Sequence, residues 1–180
     1  MGVKNIFKAG ILTISDKGWR GERQDKSGEV IGQILSQIDA QVVNYDIVPD
    51  EKNLIAEKLI QWADKDGIDV IITTGGTGLS PRDVTPEATL SVVDRVAPGF
   101  AEAMRLTSLK KTPMAMLSRA VTGTRRECLI INLPGNPEAV RDCLEAILPA
   151  LPHAVETLKG QVSDCATMEE SPQRHAFGSG

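Results

Sequence analysis

Hydrophobic positions along this chain follow two periods that take turns. Residues 7–14, FKAGILTI, and residues 127–133, centred on CLIINL, are nearly continuous apolar runs, and 67–74 adds a β-branched one. Such runs predict strands covered on both faces, the setting of a parallel sheet, and 40–48 reads as a fourth strand. Between them the period lengthens. Val30, Ile31, Ile34, Leu35 and Ile38 share one helical face after the opening Asp25-Lys26-Ser27-Gly28. Ile55, Leu59, Trp62 and Ala63 do the same after Pro49-Asp50-Glu51, where Asp50 stands at an N-cap position. Residues 87–96 and 99–109 read as helices parted by Ala97-Pro98-Gly99. Residues 139–158 read as a closing helix open to interruption at Pro149 and Pro152. Residues 17–25 are expected to form a polar loop and 120–126 a turn.

Strands and helices in alternation, joined by right-handed crossovers, predict an α/β fold. The expected form is a three-layer αβα sandwich with a mainly parallel sheet and its site at the carboxyl edge. The 180 residues suit one domain, taken as 1–160. Over 161–180, Ser, Asp, Glu, Pro and Gly dominate, so a mobile tail is expected there. A formal net charge of −4 argues against a nucleic-acid partner, which calls for a basic stripe. No leader and no apolar run of about 18 residues stands out, so no membrane is expected. Three cysteines, Cys128, Cys143 and Cys165, form no C-x-x-C and read as reduced thiols of a cytoplasmic protein. His153 and His175 lie outside every motif, which argues against zinc.

The densest chemistry falls in residues 71–88, IITTGGTGLSPRDVTPEA. A buried strand ends at Thr74 and meets Gly75, Gly76, Thr77 and Gly78. These glycines permit positive φ, and their N–H groups can form an anion-binding concavity. The spacing is neither that of a P-loop nor that of a dinucleotide fingerprint. Thr85-Pro86-Glu87 reads as a helix start with Thr85 as N-cap. Asp83, between turn and helix, is either a loop carboxylate satisfying turn N–H groups or a magnesium ligand beside a polyphosphate. Leu133-Pro134-Gly135-Asn136-Pro137-Glu138 forms a second glycine loop opening a helix, with Asn136 as N-cap and Pro137 at its first position.

The wording TTGGTG-x-x-x-R-D-V-T-P-E-A resembles the MogA and MoaB family of molybdenum cofactor biosynthesis, related to the first domain of gephyrin. The resemblance runs from about residue 10 to about 155. Further motifs recur in order: Ser15-Asp16, then Asp25, Ser27 and Gly28; Val48-Pro49-Asp50; Ser108-Leu109 before Thr112-Pro113; Leu117-Ser118-Arg119; and Pro134-Gly135-Asn136-Pro137. It implies a molybdopterin adenylyltransferase that moves AMP from ATP to molybdopterin and releases pyrophosphate. It further implies Mg²⁺, a homotrimer or hexamer, and hand-over to a molybdate-inserting MoeA-type protein. Asp50 and Asp83 are then the catalytic and metal-binding pair. Ser15 and Asp16 join the pocket, and Ser108, Ser118 and Arg119 lie near the pterin substrate. Arg119 is either a solvated side chain or a bidentate phosphate contact, to which Lys110 or Lys111 could add charge. The two glycine loops suit phosphate equally well, leaving open which takes ATP and which molybdopterin. A carrier or scaffold without turnover shares all these motifs. A MoeA-type protein would need further domains.

Overall fold

The computed structural model describes residues 6–161. Six strands form one sheet: β1 (Phe7–Ile14), β2 (Ala40–Val48), β3 (Val70–Thr74), β4 (Arg95–Val96), β5 (Thr122–Arg125) and β6 (Cys128–Leu133). Their order is β2-β1-β3-β6-β5-β4. The first four in that order are parallel, while β5 runs antiparallel to β6 and to β4. Seven α-helices accompany the sheet among the described residues: α1 (Asp16–Trp19), α2 (Lys26–Leu35), α3 (Lys52–Asp64), α4 (Thr85–Leu90), α5 (Pro98–Leu109), α6 (Pro137–Ile147) and α7 (Leu151–Leu158). Short 3₁₀ turns cover Pro113–Leu117 and Leu148–Ala150.

The continuous apolar runs are explained by a sheet buried on both faces. Along β1, Phe7, Ala9 and Ile11 join one core while Leu12 and Ile14 join the other. Val70 and Ile72 of β3, and Leu129, Ile131 and Leu133 of β6, fall in the first core; Ile71, Cys128 and Ile130 fall in the second. The first core is closed by α2, α5, α6 and α7 and the second by α3 and α4, which gives the three layers. Ile31, Ile34 and Leu35 are fully buried, as are Ile55 and Leu59, so both helical stripes face inward as expected. Each such side chain contributes about 1.5–3 kcal/mol by leaving water. Gly10 lets Trp62 lie flat on the sheet, since a Cβ there would stand 2.8 Å from the indole.

Several expected boundaries differ. The helix expected over 87–96 stops at Leu90, and β4 follows as a short edge strand held by bonds from Asp94 N to Thr124 O (2.7 Å) and Ala97 N to Thr122 O (2.8 Å). Val92, Val93 and Val96 disfavour continued helix and suit the sheet. The expected turn at 120–126 contains β5, whose hairpin to β6 turns at Arg126 with φ 51°. Gly123 lets β4 approach, because a Cβ would lie 2.8 Å from Arg95 O. The expected polar loop begins instead with the last residues of α1, which Ser15 caps by accepting from Gly18 N. The closing helix breaks at the 3₁₀ turn containing Pro149. Cys128 and Cys143 are free and buried, and burial pushes the Cys128 thiol up to about 12. The expected tail beyond Gln161, Cys165 and His175 lie outside the described residues.

Candidate functional site

Parallel strands β1, β2, β3 and β6 end at one edge, and the loops that follow them meet there. After β3 the chain turns through Gly75 (φ 98°) and Gly76 (φ 62°), conformations that favour glycine. A Cβ on Gly75 would stand 2.2 Å from Ile14 O, and one on Gly135 would stand 3.3 Å from Gly75 Cα. The two glycine loops therefore pack backbone against backbone. Thr74 Oγ1 donates to Pro134 O (2.6 Å), and Ser27 Oγ donates to Gly135 O (2.9 Å), tying β3, α2 and the second loop together. Thr85 is not the N-cap expected. Val84 occupies that position, while Thr85 Oγ1 donates to Gly75 O (2.9 Å) and its N–H donates to Gly76 O (3.1 Å). Asn136 does cap α6, accepting from Glu138 N and Ala139 N, with Pro137 following.

This edge carries two clefts. The first, about 660 Å³, is lined by Ser15, Asp50, Thr74, Gly75, Gly76, Gly135, Asn136 and Pro137 among the expected residues, and by Arg23 and Lys26 beside the start of α2. The second, about 690 Å³, takes Gly76, Thr77, Gly78, Asp83, Ser108, Ser118, Pro134, Gly135 and Asn136. Its wall is more apolar, with Ala101, Met104, Met114 and Leu117, and Lys111 sits at it paired to Asp142 (2.6 Å). Gly76, Gly135 and Asn136 line both clefts. Both glycine loops thus border both spaces.

Asp50 does not cap α3, whose N-cap is Glu51 with no side-chain bond. Its carboxylate instead accepts from Asp16 N at Oδ2 (2.9 Å), while Asp16 Oδ1 accepts from Asp50 N (3.1 Å). Burial raises the Asp50 pKa, helped by the negative charges of Asp16 and Asp83, and the Asp16 N–H opposes the rise. Asp50 Oδ1 faces Gly76, where a Cβ would come within 3.2 Å of it. On the other side, Asp83 Oδ2 accepts from Ser80 N (3.0 Å) and would lie 2.8 Å from a Cβ on Gly78. The two carboxylates therefore flank the first glycine loop, one in each cleft. No group of three or more His, Cys, Asp or Glu residues suited to a metal occurs among the described residues.

Asp16 and Arg119 line neither cleft. Asp16 receives the Arg82 guanidinium at both oxygens (2.9 Å each from Nη2), and Arg82 Nη1 reaches Glu51 (3.0 Å). The Asp50 N–H above all, with the Arg82 guanidinium adding to it, holds Asp16 below the usual carboxylate range against the opposing effect of burial. Arg119 acts as a strut. Its Nε donates to Gly78 O (2.6 Å), its Nη2 to Asp83 O (2.6 Å), and its Nη1 pairs with Glu87. Arg119→Met should lower stability by about 2 kcal/mol through three lost charged bonds, seen as a fall of roughly 4–8 °C in melting midpoint. An unchanged midpoint would return Arg119 to the role of a free anion contact.

Sequence reading missed Arg82, although it stands inside the quoted motif. It also missed Tyr45, whose hydroxyl donates to Asp25 Oδ2 together with that of Thr13. Burial, then Asp25, raises the Tyr45 pKa and keeps it a donor. Ser108 Oγ lies 3.4 Å from Cys143 Sγ at the second cleft.

Residues 10–153 match the family model described as "Probable molybdopterin binding domain". The chain belongs to that family. A molybdopterin adenylyltransferase of Helicobacter pylori strain J99 is 46% identical over 153 residues, covering 84% of this chain and 87% of that protein. One from Escherichia coli K12 is 37% identical over 171 residues, covering 93% and 88%. The crystal structure of the molybdopterin biosynthesis enzyme MoaB from Thermus thermophilus superposes with a TM-score of 0.82 at 55% identity, covering 86% of this chain and 97% of that one. The three-layer, mainly parallel architecture expected from the sequence is thus the fold of the molybdopterin-binding family. No helix among the described residues is long and apolar enough to cross a membrane.

Proposed function

We propose that this chain is a molybdopterin adenylyltransferase of molybdenum cofactor biosynthesis, acting in the cytoplasm to move AMP from ATP to molybdopterin. The observation that carries the reading is the pair of clefts sharing Gly76, Gly135 and Asn136. A two-substrate transfer needs such a meeting point, because aligning both reactants removes much of the entropic barrier. ATP takes the first cleft, where Arg23, Lys26 and the loop N–H groups suit a phosphate chain. Molybdopterin takes the second, its ring system against Met104 and Ala101 and its polar edge near Ser108.

At the shared wall a molybdopterin phosphate oxygen attacks the α-phosphorus of ATP. The new P–O–P bond forms as the α–β bridging bond breaks, and its electron pair leaves with pyrophosphate. The protein contributes alignment and N–H donors at the charge that develops. Asp50 and Asp83, each keeping one oxygen outside its loop bond, would hold a magnesium ion beside the substrate phosphates. The half-buried Asp50 charge is one that a cation would relieve. Bound there, Mg²⁺ would neutralise the leaving pyrophosphate. Exposed Leu106, Leu109, Met114, Met116 and Leu117 support assembly as a homotrimer or hexamer. The product would pass to a MoeA-type protein that inserts molybdate.

Purified chain incubated with molybdopterin, ATP and Mg²⁺ should release pyrophosphate and form adenylylated molybdopterin only when all three are present. Binding of both substrates without product would make the chain a carrier or scaffold.

A further inference from the structure

Arg82 stands in residues 79–82, an exposed segment that leads into Asp83. Its guanidinium reaches across to the loops after β1 and β2, contacting both Asp16 oxygens and Glu51 Oε1. Asp16 in turn exchanges backbone-to-carboxylate bonds with Asp50 in both directions. Asp50 belongs to the first cleft and Asp83 to the second. A single side chain therefore spans from the segment that presents one carboxylate to the residue that orients the other. Beneath the same segment, Arg119 holds the Gly78 and Asp83 carbonyls, so Asp83 is fixed on one side by Arg119 and the segment before it on the other by Arg82.

We propose that Arg82 is a positioning residue, a latch that fixes the Asp83 segment against Asp16 and Asp50 so that both carboxylates are aligned before Mg·ATP arrives. This rests on the adenylyltransferase reading above, though it concerns the seating of the ligand more than its turnover. Without Arg82, Asp16 loses its cationic partner while remaining bonded to Asp50. The 79–82 segment loses its tether to the β1 and β2 loops. A ligand that engages both carboxylates must then restore that order at the cost of its own affinity. The Arg82 side chain is 53% exposed, so its ion pairs should count little in global stability. That separates positioning from folding. The planar fork also matters, because a compact ammonium cannot present donors from separate nitrogens to Asp16 and to Glu51 as Arg82 does.

The test compares wild type, Arg82→Met, Arg82→Lys and Glu51→Gln by calorimetric titration with Mg·ATP, by melting midpoint, and by kcat and KM for adenylyl transfer. Arg82→Met should bind Mg·ATP about tenfold more weakly while melting within about 4 °C of wild type. Arg82→Lys should recover part of the loss, and Glu51→Gln should lose about twofold. An Arg82→Met affinity within twofold of wild type overturns the latch, whatever happens to turnover. If Arg82→Met is too unstable to titrate, Arg82→Lys and Glu51→Gln decide, and wild-type affinity in both overturns it. Wild-type protein that binds Mg·ATP but forms no product overturns the transferase reading, and the affinities still decide the latch.

Discussion

Asp50→Asn should reduce adenylyl transfer by about 100-fold or more, while leaving the metal-free fold at least as stable as wild type. The substitution keeps an oxygen able to accept from Asp16 N, so the contact between the β1 and β2 loops survives. It removes a charge that burial disfavours. A carboxyl whose folded pKa lies above its unfolded value destabilises the native state when ionised. The penalty is absent below about pH 4, where the group is protonated in both states, and sets in as pH rises through the folded value. Asp50→Asn should therefore melt higher than wild type at pH 7, and that difference should vanish in acid. Scanning calorimetry across pH, with pyrophosphate release measured at pH 7, checks both halves. A variant that melts lower at pH 7 would mean Asp50 is retained for structure.

Gly75→Ala should cost more than about 3 kcal/mol and abolish activity. Its φ of 98° is hostile to any side chain, and the added Cβ would collide with Ile14 O at 2.2 Å. The carbonyl belongs to the end of β1 and cannot rotate away without breaking the β1–β3 pairing that ends at Thr13 and Thr74. Gly135, packed on Gly75 Cα, would shift as well. By contrast, Gly21→Ala, at φ 74° with nothing within 4 Å, carries backbone strain alone and should cost about 1–2 kcal/mol. Denaturant unfolding of the two variants compares collision with strain. Equal losses would refute the close packing of the two glycine loops.

What the sequence made legible was whatever repeats at short range. The strands β1, β3 and β6 and the stripes of α2 and α3 stood out because burial on both sheet faces writes a continuous apolar run, and burial of one helix face writes a periodic one. The first glycine loop stood out because positive φ at Gly75 and Gly76 selects glycine, and the second because Gly135 packs against Gly75. The β4–β5 edge did not, since two- and four-residue strands carry too few positions for a period to show. Asp50 and Thr85 were placed at helix starts by type and position alone. Their actual partners, Asp16 N and Gly75 O, lie across the sheet edge, and no local pattern encodes them. The carbonyl partners of Arg119 were hidden for the same reason. An arginine beside an anion-binding loop has one composition whether it faces ligand or holds carbonyls from behind. The pairing of Arg82 with Asp16, 66 residues apart, belongs to the same class.

The most direct measurement is a crystal structure of the chain with Mg²⁺ and a non-hydrolysable ATP analogue. The triphosphate should lie in the first cleft against the glycine loop at Gly75 and Gly76, with the metal held by Asp50 and Asp83 and the second cleft open beside Ser108 and Met104. A triphosphate in the second cleft, or one bound away from both glycine loops, would contradict this arrangement.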